Sequence, residues 1–365
     1  MNLPNAKLLW HMRVAIAHYW LLNMRGGEKV LEALCRILPQ ADLFTLFYDS
    51  QKVSEIIRSR KVTSSFLNPG RRFYRSLLPL MPIALESLDL RDYDLVISSE
   101  SGPAKGVLTR AETRHICYCH TPMRYLWQMY PDYLHDWTPA WKRGLMAPIA
   151  NYLRLWDYST AARVDEFVAN SENVRRRIWR SYRRDAEVVH PPVDVQNFNW
   201  APPEDFYLAV GELVAYKRLD YAVRWFSASG RRLRIVGSGP EYARLKTMAN
   251  SKIEFCGHVS DAELRRLYAQ CRALLLPGEE DFGITAVEAT ASGKPVIALG
   301  RGGVLDSVPA EGLFPYAQPT ESHLAAAVEA FEAVEARVPR EQLQQSAARF
   351  SEAKFAERMR SILRV

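Results

Sequence analysis

The sequence predicts an α/β protein built from two doubly wound, parallel-sheet domains that face a cleft. Three observations predict this fold class. The chain has 365 residues, which is long for a single hydrophobic core. Short apolar runs alternate with amphipathic segments, as they do in parallel sheets covered by helices. A proline-rich stretch without periodicity interrupts the alternation near residue 190, and the alternation then resumes.

The first half contains strand-like runs and a helix opened by two glycines. In the helix segment GGEKVLEALCRIL, one apolar stripe is formed by Val30, Leu31, Leu34 and Leu38. The predicted strands lie in MRVAIAHYW, ADLFTLFY, YDLVISSE, HICYCH and EFVANS. We assign residues 1–190 to an N-terminal domain, with residues 1–11 as a candidate tail before the first strand.

The second half repeats this organisation after a linker at residues 191–205. Its predicted strands lie in FYLAVGEL, RLRIVGSG, KIEFCGH, RALLLPG and KPVIALG. Its predicted helices lie in YKRLDYAVRWFSAS, PEYARLKTMA, DAELRRLYAQ and ITAVEATASG. We assign residues 206–345 to a second domain and residues 346–365 to a closing helix that packs back on the N-terminal domain.

Composition excludes several classes of protein. No run of eighteen apolar residues indicates a transmembrane helix, and the N-terminus lacks the layout of a signal peptide. The five cysteines include no C-x-x-C pair, which suits a reducing cytoplasm. The net charge is +7, and residues 1–190 carry 27 Lys and Arg against 19 Asp and Glu. Nucleic acid, an anionic membrane, a phosphorylated acceptor or a solubilising surface would each account for this excess.

The stretch EEDFGITAVEA places two carboxylates around a glycine turn. Glu280 follows the carboxyl end of the predicted strand RALLLPG, and Glu288 lies just over one turn into the next helix. Gly283 permits a close turn, and the N–H groups at the start of a helix favour an anion. Carboxylates accept hydrogen bonds from hydroxyls, so the pair suits an elongated ligand with sugar rings. The alternative is a solvated acidic loop followed by a capping glutamate.

Two further loops follow predicted strands of the same domain. In VGELVAYKRLDYAV, Lys217 and Arg218 stand at a helix start, where a lysine can hold a phosphate as a point charge. In VGSGP, Gly237 opens a strand-to-helix turn. Taken singly, both loops are also ordinary surface features. Together with EEDFG they favour a nucleotide-diphosphate site.

The first domain offers fewer candidates. Gly26 and Gly27 open a helix after the first strand, in a turn that lets backbone approach a phosphate or a sugar. The pattern is not G-x-G-x-x-G, so a dinucleotide cofactor is disfavoured. His120 follows the strand HICYC and is a candidate for catalysis, although a lone histidine is more often structural. Cys117 and Cys119 are better explained as strand residues than as metal ligands.

These segments resemble a known family. EEDFGITAVEATASGKPVIA resembles the E-x7-E signature of the retaining nucleotide-sugar glycosyltransferases of family 4, and GELVAYKRLDYAV and GHVSDAELRRLYAQCRALLLPG resemble the segments that precede it. GGEKVLEAL and CHTPMRYLW resemble motifs of the family's acceptor domain. HTPMRYLW with YKR resembles bacterial mannosyltransferases that build polysaccharides and O-antigens on lipid carriers. The resemblance implies the GT-B fold of two Rossmann-like domains, with the final helix crossing back to the first domain.

The resemblance also implies roles for individual residues. Glu280 would contact hydroxyls of the donor sugar, with the Phe282–Gly283 backbone against that sugar, and Glu288 would hold the ribose. Lys217, with Arg218, would stabilise the leaving diphosphate through an oxocarbenium-like state. Further implied contacts are Gly27 at the donor phosphate, His120 beside the transferred sugar, and Gly26, Gly237, Val259 and Ile284 around the donor.

Two positions depart from the simplest pattern. Many family members carry an arginine where this chain has Glu212, as a second cation for the phosphates. Asp92-Tyr93-Asp94 spells D-x-D, which binds a metal in another glycosyltransferase fold, but here it precedes a predicted strand and we interpret it as a turn. We therefore expect no metal and no other cofactor.

The sequence thus predicts a cytoplasmic enzyme, peripheral on the inner face of a bacterial plasma membrane. We expect it to move mannose from GDP-mannose onto a polyprenyl-diphosphate-linked saccharide in cell-surface polysaccharide biosynthesis. NPGRRFYRSLLPLMPIALESL and PAWKRGLMAPIANYLRLW would contact the anionic membrane; the alternative is core helices with basic outer faces. A UDP-sugar donor and a non-catalytic nucleotide-sugar-binding subunit remain alternatives. No recognised nucleic-acid motif is present.

Overall fold

The structure is a computed structural model that describes residues 12–135 and 140–365. The candidate tail at residues 1–11 lies outside the described residues. The chain divides into two compact units, here called unit 1 and unit 2. Unit 1 comprises Met1–Pro192 and Phe355–Val365, and unit 2 comprises Val193–Lys354.

Unit 1 contains a parallel sheet in the order β3-β2-β1-β4-β5-β6-β7. Its strands are β1 Val14–His18, β2 Asp42–Thr45, β3 Val62–Ser64, β4 Leu95–Glu100, β5 Arg114–Cys119, β6 Glu166–Ala169 and β7 Ala186–Val188. The chain winds outwards on one side as β1, β2, β3 and then returns to the other side as β4 onwards. The direction of winding therefore reverses between β1 and β4, and we call that place the switch point of unit 1.

Helices connect the strands of unit 1. They are α1 Gly26–Ile37, α2 Glu55–Arg58, α3 Met81–Glu86, α4 Tyr130–His135, α5 Ala140–Thr160 and α6 Glu172–Tyr182, with a long 3-10 segment at Asn68–Leu80. The buried stripe of α1 includes the predicted Val30, Leu31 and Leu34. These side chains pack against the apolar residues of β1 and β4, which explains why both central strands read as almost continuous apolar runs.

The C-terminal helix completes the core of unit 1. Phe355, Met359, Ile362 and Leu363 are buried in the same cluster as the strand residues of β1, β4 and β5. Arg114 at the start of β5 also donates to the main-chain oxygen of Ile362, over 2.7 Å. Residues near the C-terminus are thus part of the same hydrophobic core as the strand β1 near the N-terminus.

Unit 2 contains a second parallel sheet in the order β10-β9-β8-β11-β12-β13. Its strands are β8 Tyr207–Val210, β9 Leu233–Val236, β10 Ile253–Gly257, β11 Leu274–Leu276, β12 Val296–Leu299 and β13 Leu313–Tyr316. The remaining helices are α7 Leu219–Ser229, α8 Tyr242–Met248, α9 Asp261–Gln270, α10 Ile284–Ala291, α11 Val304–Ser307, α12 Glu321–Glu332, α13 Arg340–Ala347 and α14 Glu352–Leu363. Here the winding reverses between β8 and β11, the switch point of unit 2.

The structure confirms the predicted α/β fold of two parallel sheets and adds detail at the edges. The strands β3, β7 and β13 carry weak apolar patterns, because each lies at the edge of its sheet. The predicted linker packs into unit 2 from Val193 onwards. The Val193 N–H donates to the Phe350 carbonyl over 2.8 Å, and Val193 lies in a buried cluster with Phe282 and Val287.

Candidate active site

The loops at the switch point of unit 2 bring Lys217 and Glu280 together. Lys217 ends a short 3-10 turn, Ala215–Lys217, that follows β8, and Glu280 lies in the loop after β11. Because β8 and β11 are paired neighbours, their carboxyl ends lie side by side. The Lys217 ammonium donates a hydrogen bond to Glu280 Oε1. Both side chains are mostly buried, with 19% and 12% of their surfaces exposed. Solvent therefore screens this ion pair less than a surface pair.

Close backbone contact explains why the two loops meet there. A Cβ placed on Gly278 would lie 2.6 Å from the Tyr216 carbonyl oxygen and 2.7 Å from Lys217 Cα. Only glycine allows the two loops to approach so closely. On its other side, the Glu280 carbonyl accepts from the Gly303 N–H over 2.8 Å. The Glu280 main chain is thus fixed between two neighbouring loops.

Glu288 lies on the buried face of α10. Gly283 caps this helix, which begins at Ile284, as the sequence predicted. The Tyr268 hydroxyl on α9 donates to Glu288 Oε2 over 2.7 Å. Burial raises the pKa of Tyr268 well above its ordinary value, with a further contribution from Glu288, so the hydroxyl stays protonated and donates. Tyr268 holds the Glu288 carboxylate and was not found from sequence.

The other predicted donor contacts of unit 2 occupy loops at strand ends. Gly237 follows β9, and Val259 follows β10, where it is half-buried. The Phe282 ring points into the core and meets Phe350 edge to face, which leaves its main chain as the group that a ligand would contact. Arg218 has a left-handed backbone, and its guanidinium lies 3.3 Å from Asp220. Arg218 therefore has a local partner of its own.

Glu212 lines the same small depression as Lys217 and Glu280. It is half-buried and directly follows Gly211 at the end of β8. The side chain is anionic where an arginine would supply positive charge. In the described structure the positive charge closest to the Glu280 carboxylate is that of Lys217.

The switch point of unit 1 brings His120 and Gly27 together. His120 follows β5 and is 9% exposed, and Gly26 and Gly27 begin α1. A Cβ placed on Gly27 would lie 3.7 Å from His120 Nε2 and 2.6 Å from the Tyr19 hydroxyl. His120 Nε2 lies 3.0 Å from the Ser99 hydroxyl. The predicted residues Gly27 and His120 are therefore neighbours at the carboxyl ends of the strands.

The cysteines and the D-x-D segment lie in other surroundings. Glu100, Cys117 and Cys119 place possible ligand atoms within 4.8 Å of one another, and the Lys105 ammonium lies 3.1 Å from Glu100. Burial raises the pKa of the Cys119 thiol well above its ordinary value, so the thiolate that binds metals is disfavoured. Asp92 and Asp94 precede β4 and so lie at the amino ends of the strands, away from the candidate site, where Arg13 pairs with Asp92. The expectation that no metal is required remains a prediction.

Comparisons with known proteins cover nearly the whole described chain. The family model described as Glycosyltransferase Family 4 matches residues 24–197, and the one described as Glycosyl transferases group 1 matches residues 193–350. Among solved structures, sucrose-phosphate synthase from Thermosynechococcus elongatus has a TM-score of 0.71 at 17% identity, covering 97% of this chain and 98% of that one. Anabaena HepE in complex with UDP and glucose has a TM-score of 0.67 at 14% identity, covering 97% and 99%. These likenesses concern the fold.

Several curated relatives are mannosyltransferases, at low identity. Mouse alpha-1,3/1,6-mannosyltransferase ALG2 is 25% identical, over 66% of this chain and 65% of its own length. The O-antigen chain mannosyltransferase RfbU of Salmonella typhimurium is 30% identical, over 40% of this chain and 45% of its own. A Mycobacterium tuberculosis GDP-mannose-dependent alpha-(1-6)-phosphatidylinositol dimannoside mannosyltransferase is 30% identical, over 38% and 42%. The chain thus matches less than two thirds of the length of these relatives.

None of the described helices has the length and apolar character that crossing a bilayer requires. The two parallel sheets, the glycine-containing loops of unit 2 and both family models point to the same family and fold. This chain belongs to glycosyltransferase family 4 and has the GT-B fold.

Proposed function

We propose that this protein is a retaining mannosyltransferase that uses GDP-mannose and a polyprenyl-diphosphate-linked saccharide acceptor. The observation that carries the proposal is the Lys217–Glu280 ion pair at the switch point of unit 2. A nucleotide sugar presents a diphosphate and a set of hydroxyls side by side. A cation and a carboxylate in contact, both largely shielded from solvent, match those two neighbouring groups.

Binding of the donor would redistribute the partners of this pair. Lys217 would turn from Glu280 to the diphosphate, and Glu280 would accept hydrogen bonds from the sugar hydroxyls. As the bond between the sugar C1 and the phosphate oxygen breaks, negative charge grows on the leaving diphosphate, and Lys217 stabilises it. The acceptor hydroxyl bonds to C1 on the same face, and its proton passes to the departing phosphate oxygen. His120 in unit 1 would contact the transferred sugar.

Mannose and GDP are supported by the curated relatives, three of which are mannosyltransferases by name. A specific observation favours the second candidate, a UDP-sugar, because a structure with the same fold binds UDP and glucose. Thermal unfolding with GDP, UDP, GDP-mannose and UDP-glucose separates them, since a ligand that binds only the folded state raises Tm. We expect a selective shift with GDP and GDP-mannose. A selective shift with UDP would contradict the proposal that GDP-mannose is the donor. If no nucleotide shifts Tm, the proposal that the protein is a glycosyltransferase is contradicted.

We propose that transfer needs no metal, because Lys217 supplies the positive charge at the diphosphate. EDTA should then leave turnover of GDP-mannose unchanged. A loss of turnover that added Mg²⁺ or Mn²⁺ restores would contradict this. The same assay measures release of GDP with and without acceptor, which distinguishes an enzyme from a subunit that only binds the nucleotide sugar.

Two surfaces of unit 1 support contact with an anionic membrane. The first spans residues 66–83, which contain no acidic residue. There Phe73 is 72% exposed, Phe66 and Ile83 are also exposed, and Arg71 and Arg72 lie between them. Aromatic and aliphatic side chains interleaved with arginines are typical of surfaces that lie at the lipid headgroups.

The second surface is the outer stripe of α5. Its exposed side chains recur at helical spacing and are mostly apolar: Trp141, Leu145, Tyr152 and Leu155. Residues 140–156 contain three cations and no acidic residue. The alternative from sequence was a helix with a basic outer face. The exposed stripe is instead apolar, which a bilayer surface would cover and water would not.

Liposome sedimentation tests the membrane surface. We expect the wild-type protein to sediment with anionic vesicles at low salt and to remain in solution with neutral ones. Phe73→Ser combined with Leu145→Ser should reduce the bound fraction. Leu305→Ser, at an exposed leucine of unit 2, is the matched control and should not. Equal binding of both variants would place the membrane contact elsewhere.

A further inference from the structure

A chain of buried polar side chains leads from His120 into unit 1. Ser99 Oγ lies 3.0 Å from His120 Nε2 and 3.1 Å from His18 Nδ1. The other nitrogen of His18, Nε2, lies 3.7 Å from Glu28 Oε1. Each of the three residues behind His120 is at most 1% exposed. Burial of so many polar groups in one line costs free energy unless hydrogen bonds and charge interactions between them compensate.

The fold accounts for this alignment. His18 is the last residue of β1 and stands opposite Ser99 of β4 in the parallel register. These two strands form the switch point, where the sheets of doubly wound proteins bind ligands. Glu28 stands in the first turn of α1, directly after Gly27. This line of polar side chains therefore runs from the core to His120, the residue predicted to contact the sugar.

We propose that Glu28, His18 and Ser99 are positioning residues that fix the orientation and the tautomer of His120. This inference rests on the proposed function, in which His120 contacts the transferred sugar. A serine hydroxyl can donate one hydrogen bond while it accepts others, so it can link two imidazoles and transmit a preference from one to the other.

The direction of the hydrogen bonds follows from the carboxylate. Glu28 lies beside His18 Nε2 and electrostatically favours the proton on that nitrogen. With the proton on Nε2, Nδ1 of His18 is the acceptor, and the Ser99 hydroxyl donates a hydrogen bond to it. The Ser99 oxygen in turn accepts from His120 Nε2–H. This order, from carboxylate to imidazole to hydroxyl, is the one in which serine hydrolases orient their histidine. Here it ends on a second histidine.

The same strand supplies a matched control. Ser98, next to Ser99, points to the opposite face of the sheet, and its hydroxyl lies 2.9 Å from His115 Nε2. Both serines are fully buried, and each contacts an imidazole nitrogen. Ser98→Ala therefore removes the same atoms from the same strand as Ser99→Ala, but outside the chain that ends at His120.

The first test compares these two variants. We expect Ser99→Ala to lower kcat for sugar transfer by about tenfold or more, with the donor KM changed by less than about threefold. Ser98→Ala should keep kcat within about twofold, although both variants lower Tm to a similar extent. A kcat loss that is equal in the two variants would reduce Ser99 to a stabilising core residue and overturn the proposal.

The second test separates two roles of Glu28. Its Oε2 accepts from the Arg25 N–H over 2.9 Å and so helps to cap α1. Glu28→Gln keeps an oxygen for this cap but removes the negative charge, whereas Glu28→Ala removes both. We expect Glu28→Gln to retain a near-normal Tm and to lose kcat as Ser99→Ala does. If Glu28→Gln is fully active and only Glu28→Ala is impaired, Glu28 is a cap and the proposal fails.

The third measurement does not depend on turnover. Two-bond ¹H–¹⁵N correlation spectra of ¹⁵N-histidine-labelled protein report the tautomer of each ring, and His120→Gln assigns the His120 signals among the eight histidines. We expect the Nε2–H tautomer for His120 in the wild type and its loss in Ser99→Ala. An Nδ1–H form in the wild type, or an unchanged spectrum in the variant, overturns the inference. If the chain lacks transferase activity, these spectra still decide whether Ser99 controls His120.

Discussion

The switch points of the two units use opposite means to prepare polar groups. In unit 2 the loops after β8 and β11 hold a charged pair, Lys217 and Glu280, that is partly open to solvent. In unit 1 the strands β1 and β4 hold an interior line of polar side chains that reaches the surface only at His120. The first arrangement can exchange partners when a ligand arrives, and the second cannot.

This difference matches the demands of the proposed reaction. A leaving diphosphate needs a positive charge beside it. In unit 2 that charge is on Lys217, which becomes available when its ion pair with Glu280 opens, and the pair lies near the surface where a ligand can open it. A contact to a sugar hydroxyl needs a fixed direction rather than a net charge. Buried groups that share hydrogen bonds, such as Ser99 with His18 and His120, keep a fixed direction because they cannot reorient without losing those bonds.

The largest expected effect is on the charged pair. Lys217→Ala should lower kcat by on the order of a hundredfold or more, about 2.7 to 4 kcal/mol of transition-state stabilisation. Glu280→Ala should also abolish most transfer. Since the residues are in contact, the double variant should lose less than the two single losses combined. Steady-state kinetics of the three variants checks this.

Arg224→Ala is a suitable control, because it removes an exposed cation of unit 2 that pairs with Glu321. Its kcat should remain near that of the wild type. A Lys217→Ala variant as active as this control would remove Lys217 from the diphosphate, and with it the contrast between the two switch points.

The next effect is on the backbone of unit 2. A Cβ on Gly237 would lie 1.9 Å from the Gly211 carbonyl oxygen, and Gly237 has φ +132°. We expect Gly237→Ala to lower the free energy of unfolding by about 3 kcal/mol or more. Gly230→Ala also replaces a glycine of positive φ, but open space surrounds its Cβ, so its cost should be about 1–2 kcal/mol. If urea unfolding gives equal losses of stability for the two variants, the close contact between the Gly237 and Gly211 loops does not stabilise the site.

Low pH should destabilise the interior of unit 1 through a buried histidine, His115. Burial lowers the pKa of His115 to about 4, whereas an unfolded histidine titrates near 6.5. The stability contributed by its neutral form is full above pH 6.5 and is lost as the pH falls towards 4. We expect the free energy of unfolding to fall by about 2 kcal/mol between pH 7 and pH 5 through this residue.

His115→Gln removes the titrating group and should flatten that part of the pH profile. Unit 2 offers a contrast, since hydrogen bonding from Arg231 is the main reason that the pKa of Glu332 falls to about 2, and that pair stays charged in the same range. A pH profile unaffected by His115→Gln would show that other groups dominate acid unfolding.

The smallest effect concerns Tyr268. Tyr268→Phe removes the hydroxyl that donates to Glu288 over 2.7 Å. A hydrogen bond to a carboxylate contributes about 1.5 kcal/mol at the lower end of its range, so the donor KM should rise roughly tenfold while kcat changes little. Tyr242→Phe, at an exposed tyrosine of the same unit, should leave both constants unchanged. A change in kcat alone would place Glu288 at the reacting centre rather than at the ribose.

The sequence was informative about the loops that form the candidate site of unit 2. Lys217, Glu280 and Gly283 could be found because charged residues and glycines stand out after apolar strands, and the parallel order implies that those loops share one edge. The helix start at Ile284 followed from the glycine before it and the apolar run after it. The positions of these residues were predictable; the contact between Lys217 and Glu280, 63 residues apart, required the strand order.

Other site residues carried no local signal. Ser99 lies within an apolar strand, and His18 resembles any polar residue at a strand end. Their relation depends on the register between β1 and β4, which a single sequence does not contain. Tyr268 lies on an amphipathic helix and reads as a core aromatic residue. Gly278 ends the strand-like run RALLLPG, and the packing of Tyr216 against it shows why a larger side chain is excluded.

The return of the chain to unit 1 has a consequence for biosynthesis. Phe355 and Met359 of α14 belong to the core that β1 begins, yet the ribosome makes them after all of residues 193–354. Unit 2 is therefore contiguous, and its synthesis is complete before the residues that close the core of unit 1 are made. A nascent or truncated chain that stops before residue 355 would expose the apolar surface that α14 covers. An interrupted product would therefore expose apolar surface in its first half, far along the sequence from the point of interruption.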